Sequence, residues 1–136
     1  MDDIFVGQLM TDDVVTAPPD TLVEDAANTM LSEGVGSMVV VADGRLAGIL
    51  TTTDFVRIVA ERRPKDETPV SQYMAEEVVT VAAGEPIEAA ADVLLEHGIH
   101  HVPVVDGDDG VVGMLSTTDL SAYLSTSTDH TAGRLV

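Results

Sequence analysis

Apolar residues at Leu22, Val23, Ala26, Ala27, Met30 and Leu31 recur at helical spacing and predict an amphipathic helix with a wide inward stripe. Asp20 or Thr21 is placed to cap its start, and Gly34 and Gly36 to end it. Ser37–Ala42 is a β-branched run, Asp43-Gly44 a hairpin turn, and Arg45–Leu50 the returning strand. A second helix follows Asp54 and carries Phe55, Ile58 and Val59. Ahead of all this, Gly7–Met10 reads as a short helical lead-in, and Val14–Thr16 as a short strand ended by Pro18-Pro19.

The same order then returns. Ser71–Met74 is a lead-in and Val78–Val81 a strand. Pro86–Glu96 is a helix with Ile87, Ala90, Ala91, Leu94 and Leu95 inward, stopped by Gly98. His101–Val105 and Val111–Leu115 are strands around an Asp106–Gly110 turn. Thr117–Ser125 is a helix with Leu120, Tyr123 and Leu124 inward. Met10 and Met74, Thr16 and Thr80, Ala26 and Ala90, and Gly34 and Gly98 all stand 64 residues apart. One inserted residue in the second turn makes the offset 65 for Gly48 and Gly113 and for Asp54 and Asp119. A duplication in phase over nearly the whole chain points to two copies of one structural unit.

The expected division is residues 5–63, a linker at 64–69 marked by Pro64 and the charged run around it, residues 70–126, and a polar, frayed tail at 127–136. Each copy is α+β, in the order strand, helix, strand, strand, helix. A unit of about 60 residues buries too little surface to be comfortable alone. The expectation is two units packed face to face about a pseudo-twofold axis, with Ala26, Ala27, Ala90 and Ala91 allowing close approach.

Charge changes the picture of partners. Twenty-four acids against six bases give a net charge of −18, and Lys65 is the lone lysine. Such a chain repels nucleic acid and anionic membrane surfaces. It is too apolar, at 45% hydrophobic residues, to be disordered. Acid spread over a folded surface suits a high-salt cytoplasm, so a halophilic source is expected. The absence of cysteine excludes disulfides and thiol catalysis. No apolar run is long enough to span a bilayer and the N-terminus lacks a signal pattern, so the cytoplasm is the expected location.

The candidate chemistry lies in a stretch that occurs twice, at Ala47–Phe55 and Val112–Leu120. Each copy is an apolar strand ending in three hydroxyl residues and an aspartate, followed by helix-like sequence. Helix-start N–H groups suit an anion, and a carboxylate suits a sugar diol. The same residues are also what any helix start wants, because hydroxyls cap and an early acid meets the helix dipole. No Ser-His-Asp set, paired acids or Gly-rich phosphate loop fits an enzyme, so catalytic residues are expected to be none. His97 and His101 are four apart, but Gly98 breaks the helix between them, and no metal site is expected. The Asp106–Asp109 loop lacks calcium-loop spacing and reads as a solvated turn. Arg57, Arg62, Arg63 and Lys65 cluster at a helix end, where dipole complementation, phosphate contact and a partner surface are all open readings.

The duplicated pattern resembles the cystathionine β-synthase (CBS) domain. It includes a Met-ending lead-in, a strand ending in Thr, a long helix, the second copy's His101-Val102-Pro103-Val104-Val105 strand, and a Gly turn closing on Thr51 or Ser116 and then Asp54 or Asp119. Two in tandem resemble a CBS pair, or Bateman module, over about residues 5–125. The resemblance implies a regulatory module that binds AMP, ADP, ATP or S-adenosylmethionine in a cleft between the two domains and signals to a partner. In that family the turn Asp commonly holds the ribose hydroxyls, here Asp54 and Asp119, with Thr51 and Ser116 near ribose or phosphate. Backbone at Thr16, Ala17, Ser37 and Met38, and at Thr80, Val81, His101 and Val102, would flank adenine. His100-His101-Val102-Pro103 stands where many members carry a basic phosphate-binding residue, whereas the first copy has Gly36-Ser37, so the two clefts are expected to be unequal. Family geometry would put His100 and His101 on the phosphates of a nucleotide whose ribose is held by Asp54. Plain polar residues at a strand start remain the other reading of the pair. Affinity is expected to rise as pH falls if they do serve phosphate. The resemblance further implies a homodimer, an unidentified client protein, and no nucleic acid or membrane partner. The alternative is a ligand-free interaction or dimerisation module.

Overall fold

The computed structural model describes residues 3–107 and 110–127. The middle of the Asp106–Gly110 turn and residues 128–136 of the expected tail lie outside the described residues. The elements in order are α1 (Val6–Leu9), β1 (Thr16–Ala17), α2 (Val23–Glu33), β2 (Ser37–Ala42), β3 (Arg45–Thr51), α3 (Thr52–Ala60), a 3-10 turn (Val70–Gln72), β4 (Val81–Ala82), α4 (Ile87–His97), β5 (His101–Asp106), β6 (Gly110–Ser116) and α5 (Thr117–Ser127). They form two three-stranded sheets, β1-β2-β3 and β4-β5-β6. The fold is α+β and duplicated.

Compact units in space do not follow the repeat boundaries. Val14–Val78 makes nearly all of one unit, which contains Asp54. Of the described residues, 79–106, those up to Asp13 and those from Val112 make the other, which contains Asp119. Each repeat therefore gives its lead-in to the sheet of the other. Met74-Ala75 crosses β3, with Ile49 and Ala75 exchanging backbone hydrogen bonds of 3.0 and 2.9 Å. Met10-Thr11 crosses β6, with Thr11 and Met114 exchanging two of 2.8 Å.

In the Asp54 unit, β1 runs parallel to β2 with Thr16 opposite Val39, and β3 returns antiparallel with Ser37 opposite Thr51. Asp43 (φ 54°) and Gly44 (φ 77°) both take the left-handed conformation. Two such residues in succession make the hairpin turn whose twist matches the strands. The start of α2 departs from expectation. Leu22 is its N-cap and no side chain caps it, so neither Asp20 nor Thr21 serves. The returning chain does so instead: the Val23 N–H donates to the Thr68 carbonyl at 2.8 Å and the Glu24 N–H to the Lys65 carbonyl at 3.1 Å. Helix-start donors need partners, and a crossing segment supplies them as well as a hydroxyl would. The other unit does the same at α4, where the Ile87 N–H donates to the Ile4 carbonyl at 2.9 Å. Gly34 and Gly98 end α2 and α4 in the left-handed conformation, as expected.

Each long helix buries a narrow stripe on its sheet. Val23, Ala26 and Met30 are buried in α2, and Ile87, Ala90 and Leu94 at the equivalent positions of α4. The expected stripe was one residue too wide. Leu31 and Leu95 lie about 100° further round the helix and are each 81% exposed. Leu124 in α5 is also exposed, contrary to the inward placement read from periodicity, and so is Val59 in α3. A helix on one sheet has one covered face, whereas periodicity alone cannot say how wide that face is. Among the described residues, no helix is long and apolar enough to cross a membrane.

Candidate functional site

The Asp54 carboxylate is held from both sides. Thr51 ends β3 and is the N-cap of α3, with Asp54 at the third helical position. The Thr51 backbone N–H donates to Asp54 Oδ2 at 2.8 Å, and the Thr51 hydroxyl lies 3.5 Å from the same oxygen. This reciprocal cap fixes the side chain, which is otherwise short enough to rotate freely. Arg57, one turn on, donates from Nη1 to Asp54 Oδ1 at 3.1 Å. Asp54 is one of three polar or charged residues buried among those described, with Ser37 and Thr68. Ser37 pairs with Thr51 across the sheet, so the three polar groups Ser37, Thr51 and Asp54 come together at one end of the β2–β3 ladder. A backbone bond from the Thr52 N–H to the Gly36 carbonyl (3.3 Å) ties the helix start to that end.

Behind Arg57 lies a polar cluster built on Tyr73, which the sequence did not single out. The guanidiniums of Arg57 and Arg63 lie 5.3 and 5.7 Å from the ring centroid of Tyr73. The Tyr73 hydroxyl donates to Glu61, and Arg63 donates to Gln72. The hydrogen bond to the anionic Glu61 holds the Tyr73 phenol above its ordinary pKa. Cations over an aromatic face are attracted by its quadrupole, so Tyr73 seats both arginines.

The Asp119 unit repeats the cap and changes what surrounds it. The Ser116 backbone N–H donates to Asp119 Oδ2 at 2.9 Å, and the Asp119 N–H donates back to Ser116 Oγ at 3.1 Å. Oδ1 here meets a hydroxyl, Thr11 Oγ1, at 3.4 Å. The residues equivalent to Arg57 and Tyr73 are Ala122 and Leu9, and the residue equivalent to Thr11 is Ala75. His101 starts β5 half-buried, and His100 is exposed with its carbonyl accepting from the Thr117 N–H at 3.0 Å. Burial, then the neighbouring His100 charge, push the His101 pKa below its ordinary value, against an opposing pull from Asp119. The shift favours the neutral imidazole of His101, which can still hydrogen-bond.

The remaining candidates divide by what they can offer. Ala17, Met38 and Val81 have core side chains, and so do Val102 and Pro103. A ligand can reach only their backbone. Thr16 is exposed beside Val39, and Thr80 is half-buried next to β4. Arg57 and Thr11 are the residues that sequence reasoning missed as neighbours of the two acids. Their signal lies in the repeat register: 57 against 122 and 11 against 75 are positions where the copies disagree beside an invariant feature. Among the described residues, no three His, Cys, Asp or Glu side chains converge as a metal-binding set.

Residues 6–61 and 70–126 each match the CBS domain family. The chain belongs to the CBS domain family, as a tandem pair. It is similar to the CBS domain-containing protein YhcV of Bacillus subtilis, at 32% identity over 85% of this chain and 82% of that one. Its fold matches the CBS domain pair of protein MJ0100, solved with 5′-methylthioadenosine and S-adenosylmethionine, with a TM-score of 0.85 over 93% of this chain and 99% of that one, at 24% identity. It also matches protein MJ1225 of Methanocaldococcus jannaschii, offered as an archaeal homologue of γ-AMPK, with a TM-score of 0.82 at 26% identity. That match covers 91% of this chain and 49% of MJ1225. Relatives that carry enzyme names are matched over only 24–25% of their own length.

Proposed function

We propose that this CBS pair is a regulatory module that binds an adenosyl ligand, AMP, ADP, ATP or S-adenosylmethionine, and reports its occupancy to a client protein in the cytoplasm. The observation that carries the reading is the buried Asp54 carboxylate, fixed by its cap through Oδ2 while Oδ1 meets only a half-exposed arginine. A preoriented carboxylate of this kind suits two donors from a ribose diol. Backbone at Thr16, Ala17, Ser37 and Met38 is assigned to adenine, and in the second copy backbone at Thr80, Val81, His101 and Val102 likewise, with Pro103 beside it. Thr51 and Ser116 are assigned to ribose or phosphate, and His100 and His101 to phosphate. The methylthioadenosine and S-adenosylmethionine bound by MJ0100 support the class of ligand. The competing reading, an interaction module with no ligand, is favoured by the caps themselves, which give both acids a purely structural use.

A thermal-unfolding series with AMP, ATP, NAD and S-adenosylmethionine, run at moderate and molar potassium chloride, separates the two. A true ligand at a hundred times its dissociation constant should add about 2.7 kcal/mol of stability. No shift with any adenosyl compound at either salt concentration would leave only the interaction module.

The same reading includes association with a second copy. α2 and α4 leave Leu31 and Leu95 outside at equivalent positions, and α3 adds Val56 and Val59. Exposed apolar residues on each of these helices favour burial against a second copy. Sedimentation equilibrium should show a dimer for the full chain and a monomer for Leu31→Glu/Leu95→Glu. A wild-type monomer at about tens of micromolar contradicts this, because a stable dimer holds well below that concentration.

A further inference from the structure

We propose that Arg57 is the charge-sensing residue of the Asp54 site, a latch that makes the site select phosphorylated adenosyl ligands over neutral or cationic ones. This rests on the adenosyl-binding reading and deepens it.

The latch is visible in the bonding of Asp54. Its side chain is only 12% exposed, and its Oδ2 is committed to the Thr51 cap. Oδ1 carries the remaining acceptor capacity, and Arg57 Nη1 already sits on it at 3.1 Å. A vicinal diol that needs this carboxylate must compete with the guanidinium. Arg57 can yield, because its side chain is 53% exposed and such pairs are weak. It also has somewhere to stay: Tyr73 holds it by its face, 5.3 Å from the ring centroid, and that contact does not depend on Asp54.

The consequence depends on the ligand's charge. A neutral nucleoside displaces Arg57 and gives it nothing in return. A 5′-phosphate offers the released guanidinium a charge-assisted, two-pronged partner, so displacement is recovered. The surroundings make the effect matter. The chain carries −18 overall, which opposes every anionic ligand. Yet four of its six bases, Arg57, Arg62, Arg63 and Lys65, lie within nine residues. Arg63 shares the Tyr73 ring with Arg57, so a second cation backs the first. The Asp119 copy has alanine in place of Arg57 and leucine in place of Tyr73, and its Oδ1 meets the Thr11 hydroxyl where Asp54 Oδ1 meets a guanidinium. The duplicated caps are alike, but only one of them carries the latch.

The test is calorimetric titration of the full chain with AMP, 5′-methylthioadenosine and S-adenosylmethionine, at one fixed ionic strength, for wild type, Arg57→Gln and Arg57→Lys. Arg57→Gln should weaken AMP about ten-fold, the loss of one charge-assisted contact. It should tighten methylthioadenosine and S-adenosylmethionine by about two-fold, because the competing ion pair is gone. Arg57→Lys keeps the charge without the planar fork and should retain part of the AMP preference. Changes of the same sign for AMP and methylthioadenosine, or no change in either, overturn the assignment of Arg57 alone. Failure of wild type to bind any of the three overturns both this assignment and the adenosyl-binding reading beneath it.

Discussion

Asp54→Ala is expected to abolish the ligand-dependent stabilisation outright, a loss of about 2.7 kcal/mol at a hundred times the dissociation constant. It should also cost about 1 kcal/mol without ligand, because the Thr51 N–H loses its capping partner. Asp119→Ala should carry a similar capping cost and a smaller loss of the ligand response. The asymmetry follows from burial and company. Asp54 is buried with Ser37 and its Oδ1 faces the cationic cluster on Tyr73, whereas Asp119 is half-buried and its Oδ1 meets the Thr11 hydroxyl. Asp54→Asn separates the two roles. Its amide oxygen can still accept from Thr51, so most of the intrinsic stability should remain while the negative charge that holds two ribose donors is gone. Denaturant unfolding with and without AMP reads all three variants. Equal loss of the ligand response in Asp54→Ala and Asp119→Ala would end the claim that the copies differ in function.

Much of the fold was legible because the chain states it twice. The helix stops at Gly34 and Gly98, the β2–β3 hairpin on Asp43-Gly44, and the cap-bearing turns at Asp54 and Asp119 all depend on local chemistry, and local chemistry is what a sequence displays. What was not legible depends on segments far apart in the chain. The start of α2 lacks the side-chain cap that Asp20 or Thr21 promised, because its donors are met by carbonyls from Lys65 and Thr68. Nothing near residue 22 announces that. The exchange of lead-ins between the repeats is hidden for the same reason. At the candidate site, the acids and their caps were readable, but Arg57 looked like one of four cations at a helix end. Helical spacing alone would set Asp54 against it, three residues back, but only the fold brings Tyr73 beneath it. The exposed Leu31 and Leu95 were misjudged because the width of a buried stripe is set by the partner surface, which periodicity does not contain.

Gly48→Ala is expected to destabilise the chain by about 1–3 kcal/mol, the usual cost of forcing a methyl into a filled space. Neither Gly48 nor Gly113 has the left-handed backbone that would itself demand glycine. On entropy alone, alanine would add about 0.4–1 kcal/mol of stability at such a position, so the sign of the change decides the matter. A methyl at 48 would lie 2.7 Å from Met74 Sδ and 2.9 Å from the Ala75 carbonyl oxygen. The sulfur can swing away, but the carbonyl cannot, because it accepts from the Ile49 N–H at 3.0 Å. At Gly113 the corresponding crossing puts the Thr11 oxygen at 3.1 Å, behind the flexible Met10 side chain. Gly113→Ala should therefore cost less, and Met10→Ala should relieve most of that cost, while Met74→Ala should relieve only part of the cost at Gly48. The two crossings are what fasten each lead-in to the other repeat's sheet, and the Met74 crossing also fixes the neighbouring Tyr73 under Arg57. Gly48→Ala should accordingly weaken AMP binding as well as stability, and weaken it more than Gly113→Ala does. Urea unfolding midpoints at or above wild type for Gly48→Ala would show that the crossing is loose, and the seat of Arg57 with it.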